Sequence, residues 1–223
     1  MADADQDWHA WHERYDEPGS QLARRLAVVQ DRITRALDAA PPGDIRVLSM
    51  CAGQGRDLLG ALEGHPRRAD VDGLLVELDP RNTSAAREHA KELGLRRIRV
   101  VTGDASQTDQ YFSHAPADLV LACGVFGNIT SEDIRRTIGH CAALCRAGGT
   151  VVWTRHRHEP DLVPSICDWF AQSGFTLEFV TEPGDFGVGV HRRTGRARRL
   201  LPGATMFNFI GGRNLTMAER GCG

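Results

Sequence analysis

Four stretches of the chain combine residue types that can hold and work on a small polar ligand. Cys51-Ala52-Gly53-Gln54-Gly55-Arg56 is a run of small residues that lets backbone approach a ligand closely just before a helix begins. Glu77, 24 residues after Gly53 in Val76-Glu77-Leu78-Asp79-Pro80, is a carboxylate able to accept from both hydroxyls of a ribose. In Gly103-Asp104-Ala105 the carboxylate can accept from an adenine amino group, with the Ala105 amide as a second contact. Thr154-Arg155-His156-Arg157-His158-Glu159 sets an imidazole among guanidiniums, which suits His156 to general-base work and its neighbours to an anionic group. A dinucleotide fingerprint would need a third glycine at position 58, which is Leu58, so a nicotinamide cofactor is disfavoured.

Other chemistries drop out on composition. Of the 27 basic residues, Lys91 is the single lysine, and it lies in the polar stretch RNTSAAREHAKELG, so P-loop and Schiff-base mechanisms are excluded. The six cysteines form no CxxC pair, and the nine histidines have no HExxH or finger spacing, so reduced thiols and no metal are expected. Cys141 and Cys145 share a helical face with Ile134 and Ile138 and read as core. A net charge of -2 argues against a dedicated nucleic-acid surface, although residues 192 to 199 carry five arginines. No apolar run is long enough for a membrane span, and the acidic start MADADQDWHAWHERYDE lacks a signal peptide's apolar region, which points to a cytoplasmic protein.

The elements that must position these residues are legible from periodicity. Leu22, Leu26, Val29, Ile33 and Leu37 form a 3.6-residue stripe after Ser20, an N-cap, and before Pro41-Pro42-Gly43. Continuous apolar runs follow at 45 to 50, 71 to 78, 98 to 101, 118 to 123 and 150 to 154, as expected of strands covered on both faces. Helix signals lie between them: Asp79 before Pro80, and Thr130 with Asp133 ahead of Gly148-Gly149. This alternation predicts an α/β fold, a doubly wound, mostly parallel seven-stranded sheet with helices on both faces. Its ligand should bind beyond the carboxyl ends of the strands, at 51 to 56, 77 to 82, 104 to 106, 123 to 128 and 154 to 158. FTLEFVT, FGVGVHR and TMFNFI read as strands returning by an antiparallel C-terminal hairpin, and which of the last two enters the main sheet is left open. Residues 1–40 are expected to form an N-terminal helical arm or lid, and 41–223 a single Rossmann-like unit.

The order of these motifs resembles the class I S-adenosylmethionine-dependent methyltransferases, from about Ile45 to Ile210. The resemblance implies that Cys51, Ala52, Gly53, Gly55, Glu77, Leu78, Asp104, Ala105, Cys123 and Gly124 hold S-adenosylmethionine and its product S-adenosylhomocysteine. It also implies that the segment ending at Asn128 faces methionine and acceptor, while the place of Arg155 and His156 after the fifth strand makes His156 the candidate base for a hydroxyl acceptor and Arg155 a candidate contact for an anionic group on it. Two departures stand out: Ser49 and Cys51 occupy sites where the family usually has an acid and a glycine. An acidic partner for the cofactor's amino-acid end is therefore missing. After the fourth strand, Ala122 to Asn128 carries neither the NPPY tetrapeptide of amide and adenine amino methyltransferases nor acidic magnesium ligands. The expectation is a small-molecule acceptor, oxygen favoured over nitrogen, with no membrane partner and a homodimer left open. The alternatives are an RNA methyltransferase using Arg192, Arg193, Arg196, Arg198 and Arg199, or a non-catalytic cofactor-binding module. In the arm, Trp8, Trp11 and Tyr15 share one helical face beside His12, and Trp11 and Tyr15 are candidates for substrate contact as parts of a lid.

Overall fold

The computed structural model describes residues 15, 17, 19–196 and 198–211. The chain runs α1 (Gln21–Ala39), β1 (Ile45–Met50), α2 (Arg56–Leu62), β2 (Val71–Glu77), α3 (Pro80–Glu92), β3 (Ile98–Thr102), a 3₁₀ turn (Thr108–Tyr111), β4 (Ala117–Ala122), α4 (Ser131–Leu144), β5 (Cys145–His156), α5 (Val163–Gln172), β6 (Phe175–Val180) and β7 (Phe186–Arg193). The seven strands form one sheet in the order β3-β2-β1-β4-β5-β7-β6. β1 to β5 are parallel, and β7 runs antiparallel to both β5 and β6. FGVGVHR is therefore the run that enters between β5 and β6, and this decides the open question of the hairpin. TMFNFI forms no strand; its one ladder contact is an isolated bridge between Thr205 and Gln107.

Strand alternation sorts the core onto the two faces of the sheet. Leu48, Met50, Val76, Val120 and Trp153 pack with Ile134, Ile138 and Cys141 of α4 and Ile166 and Phe170 of α5. Val47, Leu75, Leu119, Leu121, Val152 and Val190 pack on the other face with Val29, Ile33 and Leu37 of α1 and Leu58, Leu59 and Leu62 of α2. The second half of the 1–40 arm is thus a core helix; Leu26 alone of its stripe is only half-buried.

The caps behave as their residue types dictate. Ser20 Oγ accepts from Ala23 N at 3.1 Å, Asp79 Oδ1 from Arg81 N at 2.8 Å, and Thr130 Oγ1 from Asp133 N at 3.1 Å. One boundary differs from expectation. α4 ends at Leu144, and Cys145 opens β5 rather than closing the helix, because the strand pairs early with Ala117 and then shifts register before Leu119 pairs with Thr150. Gly149 sits in that bulge, where a Cβ would lie 2.9 Å from Asp118 O. Cys141 and Cys145 are nonetheless both buried and unbridged.

Among the described residues no helix is long and apolar enough to cross a membrane. The arginine-rich segment begins where β7 ends, beside the start of β5, so its first residues lie at the amino edge of the parallel strands.

Candidate cofactor and acceptor site

The five predicted segments all lie at the carboxyl ends of parallel strands and so share one edge of the sheet. In the loop after β1, Ala52 N still donates to Val76 O of β2 (3.0 Å), and Gly55 N closes a tight turn onto Ala52 O (2.8 Å). The turn needs left-handed backbone at Cys51 (φ 48°), Gly53 (φ 55°) and Gly55 (φ 72°). At Gly55 a Cβ would also come within 2.9 Å of Leu75 Cδ2. Cys51 thus keeps the backbone shape of the glycine it stands in for, at some local strain.

Glu77 does more than end a strand. Its Oε2 accepts from Gly53 N and its Oε1 from Asp79 N, both at 2.9 Å, so one half-buried carboxylate ties the glycine loop to the start of α3. Each oxygen keeps a second lone pair, which is what two ribose hydroxyls require. Leu78, next along, is 63% exposed and offers an apolar surface beside that carboxylate. Asp104, one strand further, accepts from Ser106 N at 2.9 Å and from Gln107 Nε2 at 3.1 Å. Burial acts to raise its carboxyl, but the hydrogen bonds from Ser106 and Gln107 win, and it stays below the ordinary carboxylate value. Ala105 is buried, and its carbonyl receives the Tyr111 hydroxyl at 2.7 Å.

The loop after β4 is braced from three sides. Gly124 N donates to Thr154 Oγ1 (2.8 Å), Asn128 Nδ2 donates to Gly124 O (2.7 Å), and Asn128 O accepts from Ile210 N (2.9 Å). The 200–211 segment thereby reaches the site. On its way Met206 N donates to Ser106 O and Asn208 N to Asp133 Oδ2. Reading TMFNFI as a strand hid this role.

Arg155 is placed differently from the expectation that it faces an acceptor: it is 3% exposed and donates to Phe126 O, bracing the same loop from within. Arg157 pairs with Asp161 (2.8 Å) and donates to Thr181 O. The strand places alternate residues on opposite faces, which sequence could not orient here. His156 is half-buried and stacks on His158 with ring centroids 5.2 Å apart. Burial, then the neighbouring Arg155, push its pKa down to about 4. It is neutral at pH 7, but a weaker base than an ordinary imidazole.

Trp8, Trp11 and His12 lie outside the described residues. Tyr15 is half-buried, its hydroxyl accepts from Arg25 Nη2 (2.9 Å), and the Arg56 guanidinium carbon lies 5.8 Å from its ring centroid. Two residues that sequence reasoning passed over stand here as well. Asp57 in the first turn of α2 accepts from Leu58 N (2.8 Å) and stands close enough to Cys123 to act on its thiol, and Arg25 of α1 acts electrostatically on both. Burial pushes the thiols of Cys51 and Cys123 well above their usual range, with Glu77 and Asp57 adding to it, so neither is a thiolate nucleophile. Among the described residues no group of three metal-ligating side chains occurs.

Residues 47–149 match a family described as methyltransferase domain. The match covers this segment, and the sheet of which it forms the greater part has the class I, Rossmann-like methyltransferase fold. Solved structures with the same fold agree. An O-methyltransferase family protein from Burkholderia thailandensis superposes with a TM-score of 0.63 at 19% identity, covering 78% of this chain and 56% of that one. The magnesium protoporphyrin IX methyltransferase of Synechocystis PCC 6803, solved with bound S-adenosylmethionine, gives 0.60 at 15%, covering 86% of this chain and 100% of that one. The 1,6-didemethyltoxoflavin-N1-methyltransferase of B. thailandensis gives 0.59 at 16%, covering 84% of each chain. This chain therefore spans little more than half the length of the first of these, and identities this low carry the fold alone. No curated protein sequence matches the chain. The methyltransferase family, with the fold, supports dependence on S-adenosylmethionine.

Proposed function

We propose that the protein transfers a methyl group from S-adenosylmethionine to a small-molecule acceptor, with an oxygen acceptor favoured over nitrogen. The observation that carries this reading is the alignment along one sheet edge of the glycine turn after β1, Glu77 at the end of β2 and Asp104 after β3. The residues fit the cofactor: the turn excludes side chains where approach is close, Glu77 retains lone pairs for ribose, Leu78 offers an apolar face, and Asp104 is an anionic acceptor. When bound, the cofactor supplies the electrophilic methyl of its sulfonium.

The chain's own part is to orient, to keep the site dry and, for a hydroxyl acceptor, to take a proton. We assign the proton to His156, the group at the end of β5 that stays neutral at pH 7. Its low basicity suits an acceptor that brings negative charge near the ring, which raises the pKa as the complex forms. Tyr15, against Arg25 and Arg56 beside the glycine turn, supports reading the N-terminal arm as a cover over the cleft.

Two of the five arginines that would serve an RNA substrate are committed internally. Arg192 pairs with Glu178 and donates to Gly148 O, while Arg193 is buried, donating to Ser173 O and Gly174 O at the opposite edge from Glu77. The small-molecule substrate named for the B. thailandensis N1-methyltransferase keeps that acceptor class in view.

The test is labelled-methyl transfer across small hydroxyl, amine and RNA acceptors at increasing salt. Turnover of a small acceptor with little salt dependence is expected. Turnover confined to RNA and falling steeply with log salt would overturn the acceptor class, and tight S-adenosylhomocysteine binding with no turnover of any acceptor would favour a binding module.

A further inference from the structure

The sequence leaves the cofactor's amino-acid end without an acid, because Ser49 stands where the family usually has one, and Ser49 is itself buried in β1. The sheet order says where that end must go. Asp104 follows β3 and Glu77 ends β2, so a ligand laid from adenine to ribose runs along the sheet edge toward β1 and then β4. β4 lies two strand spacings from β2, roughly 10 Å, which is comparable to the reach of the short chain joining ribose to an α-amino acid. At that place Asp57 from α2 and Arg25 from α1 both act on Cys123, the first residue after β4.

Resting on the methyltransferase reading above, we propose that Asp57 and Arg25 form a clamp for the zwitterionic amino-acid end of the cofactor, Asp57 taking the ammonium and Arg25 the carboxylate. Asp57 is a replacement acid, displaced from the end of β1 to the first turn of the following helix. A carboxylate offers about four acceptor positions, and Leu58 N–H, the Asp57 backbone N–H and the Cys123 thiol take up fewer than that, which leaves capacity for an ammonium donor. Burial raises its carboxyl above the ordinary range, with Leu58 N–H and Arg25 acting in the opposite sense. An arriving ammonium supplies the charge that a half-desolvated carboxylate lacks. Arg25 is held toward the same space by Tyr15, whose hydroxyl receives its Nη2. Arg25 and Tyr15 both lie outside the segment that matches the family, so α1 completes a site whose other parts belong to the shared domain.

The test compares two ligands by calorimetry: S-adenosylhomocysteine, which carries the amino-acid end, and 5′-methylthioadenosine, which lacks it. Asp57→Asn keeps the shape and the acceptor for Leu58 N–H while removing the charge. Arg25→Gln, on the half-exposed face of α1, is a second variant that leaves the core intact. Each should weaken S-adenosylhomocysteine by roughly tenfold or more and leave 5′-methylthioadenosine unchanged. Equal weakening of both ligands, or of neither, in folded variants would overturn the clamp. Failure of the wild-type protein to bind S-adenosylhomocysteine at all would instead sink the cofactor assignment on which it rests.

Discussion

Replacing Glu77 tests two functions of one carboxylate at once. Glu77→Ala removes acceptors for Gly53 N and Asp79 N, each at 2.9 Å. Hydrogen bonds to a charged group are worth ~1.5–3 kcal/mol each. The site is half-buried and water can enter the space left, so the lower half of that range applies, about 3–4.5 kcal/mol in total for the two bonds. For a domain of this size a kcal/mol moves the melting temperature by about 2–4 °C, and a drop of roughly 6–18 °C follows. Glu77→Gln keeps one acceptor oxygen and turns an amide N–H toward the other backbone donor, so it should fall between Ala and wild type. Both variants should bind S-adenosylhomocysteine roughly tenfold or more weakly, because the ribose loses a charged partner and the glycine loop loses its tie. Differential scanning calorimetry and isothermal titration on the same samples separate the two effects. Lowered melting with intact affinity would leave Glu77 a loop tie and remove its ribose role. Wild-type melting with intact affinity in Glu77→Ala would refute the reasoning altogether.

His156→Ala should lower turnover of a hydroxyl acceptor by roughly 10²–10⁴ while S-adenosylhomocysteine affinity holds; unchanged turnover would reduce His156 to a loop residue. His191, fully buried in β7, accepts from Trp153 Nε1 at 3.0 Å, and burial lowers its pKa to about 4 from an ordinary 6.5. The unfolded chain therefore binds the proton more readily. This contribution to stability is complete above about pH 6.5 and is lost as pH falls toward 4, by on the order of 3 kcal/mol. His191→Phe should be less stable at pH 8, where the Trp153 N–H loses its acceptor, and the gap to wild type should narrow by pH 5. A gap that stays constant in denaturant titrations across that range would contradict this account.

Local patterns determined most of the fold. Period and capping residues specify α1 from Ser20, α3 from Asp79-Pro80 and α4 from Thr130, because these signals act within a few residues of chain. Continuous apolar runs identify β1 to β5 as strands buried on both faces, and strand–helix alternation then forces the parallel order and puts Gly53, Glu77 and Asp104 on one edge. What depends on pairing between distant segments was not legible. β7 rather than TMFNFI enters the sheet because its buried Val188, Val190 and His191 register against β5, whereas 205–210 finds its partners in Ser106, Asp133 and Asn128. Arg155 looked available to an acceptor until β5 turned it inward onto Phe126 O. Asp57 and Arg25 gave no signal at all: one reads as an ordinary first-turn acid and the other as the polar face of an amphipathic helix. They meet at Cys123 only because α1 and α2 pack on the same face of the sheet, an outcome of long-range burial that no local spacing encodes.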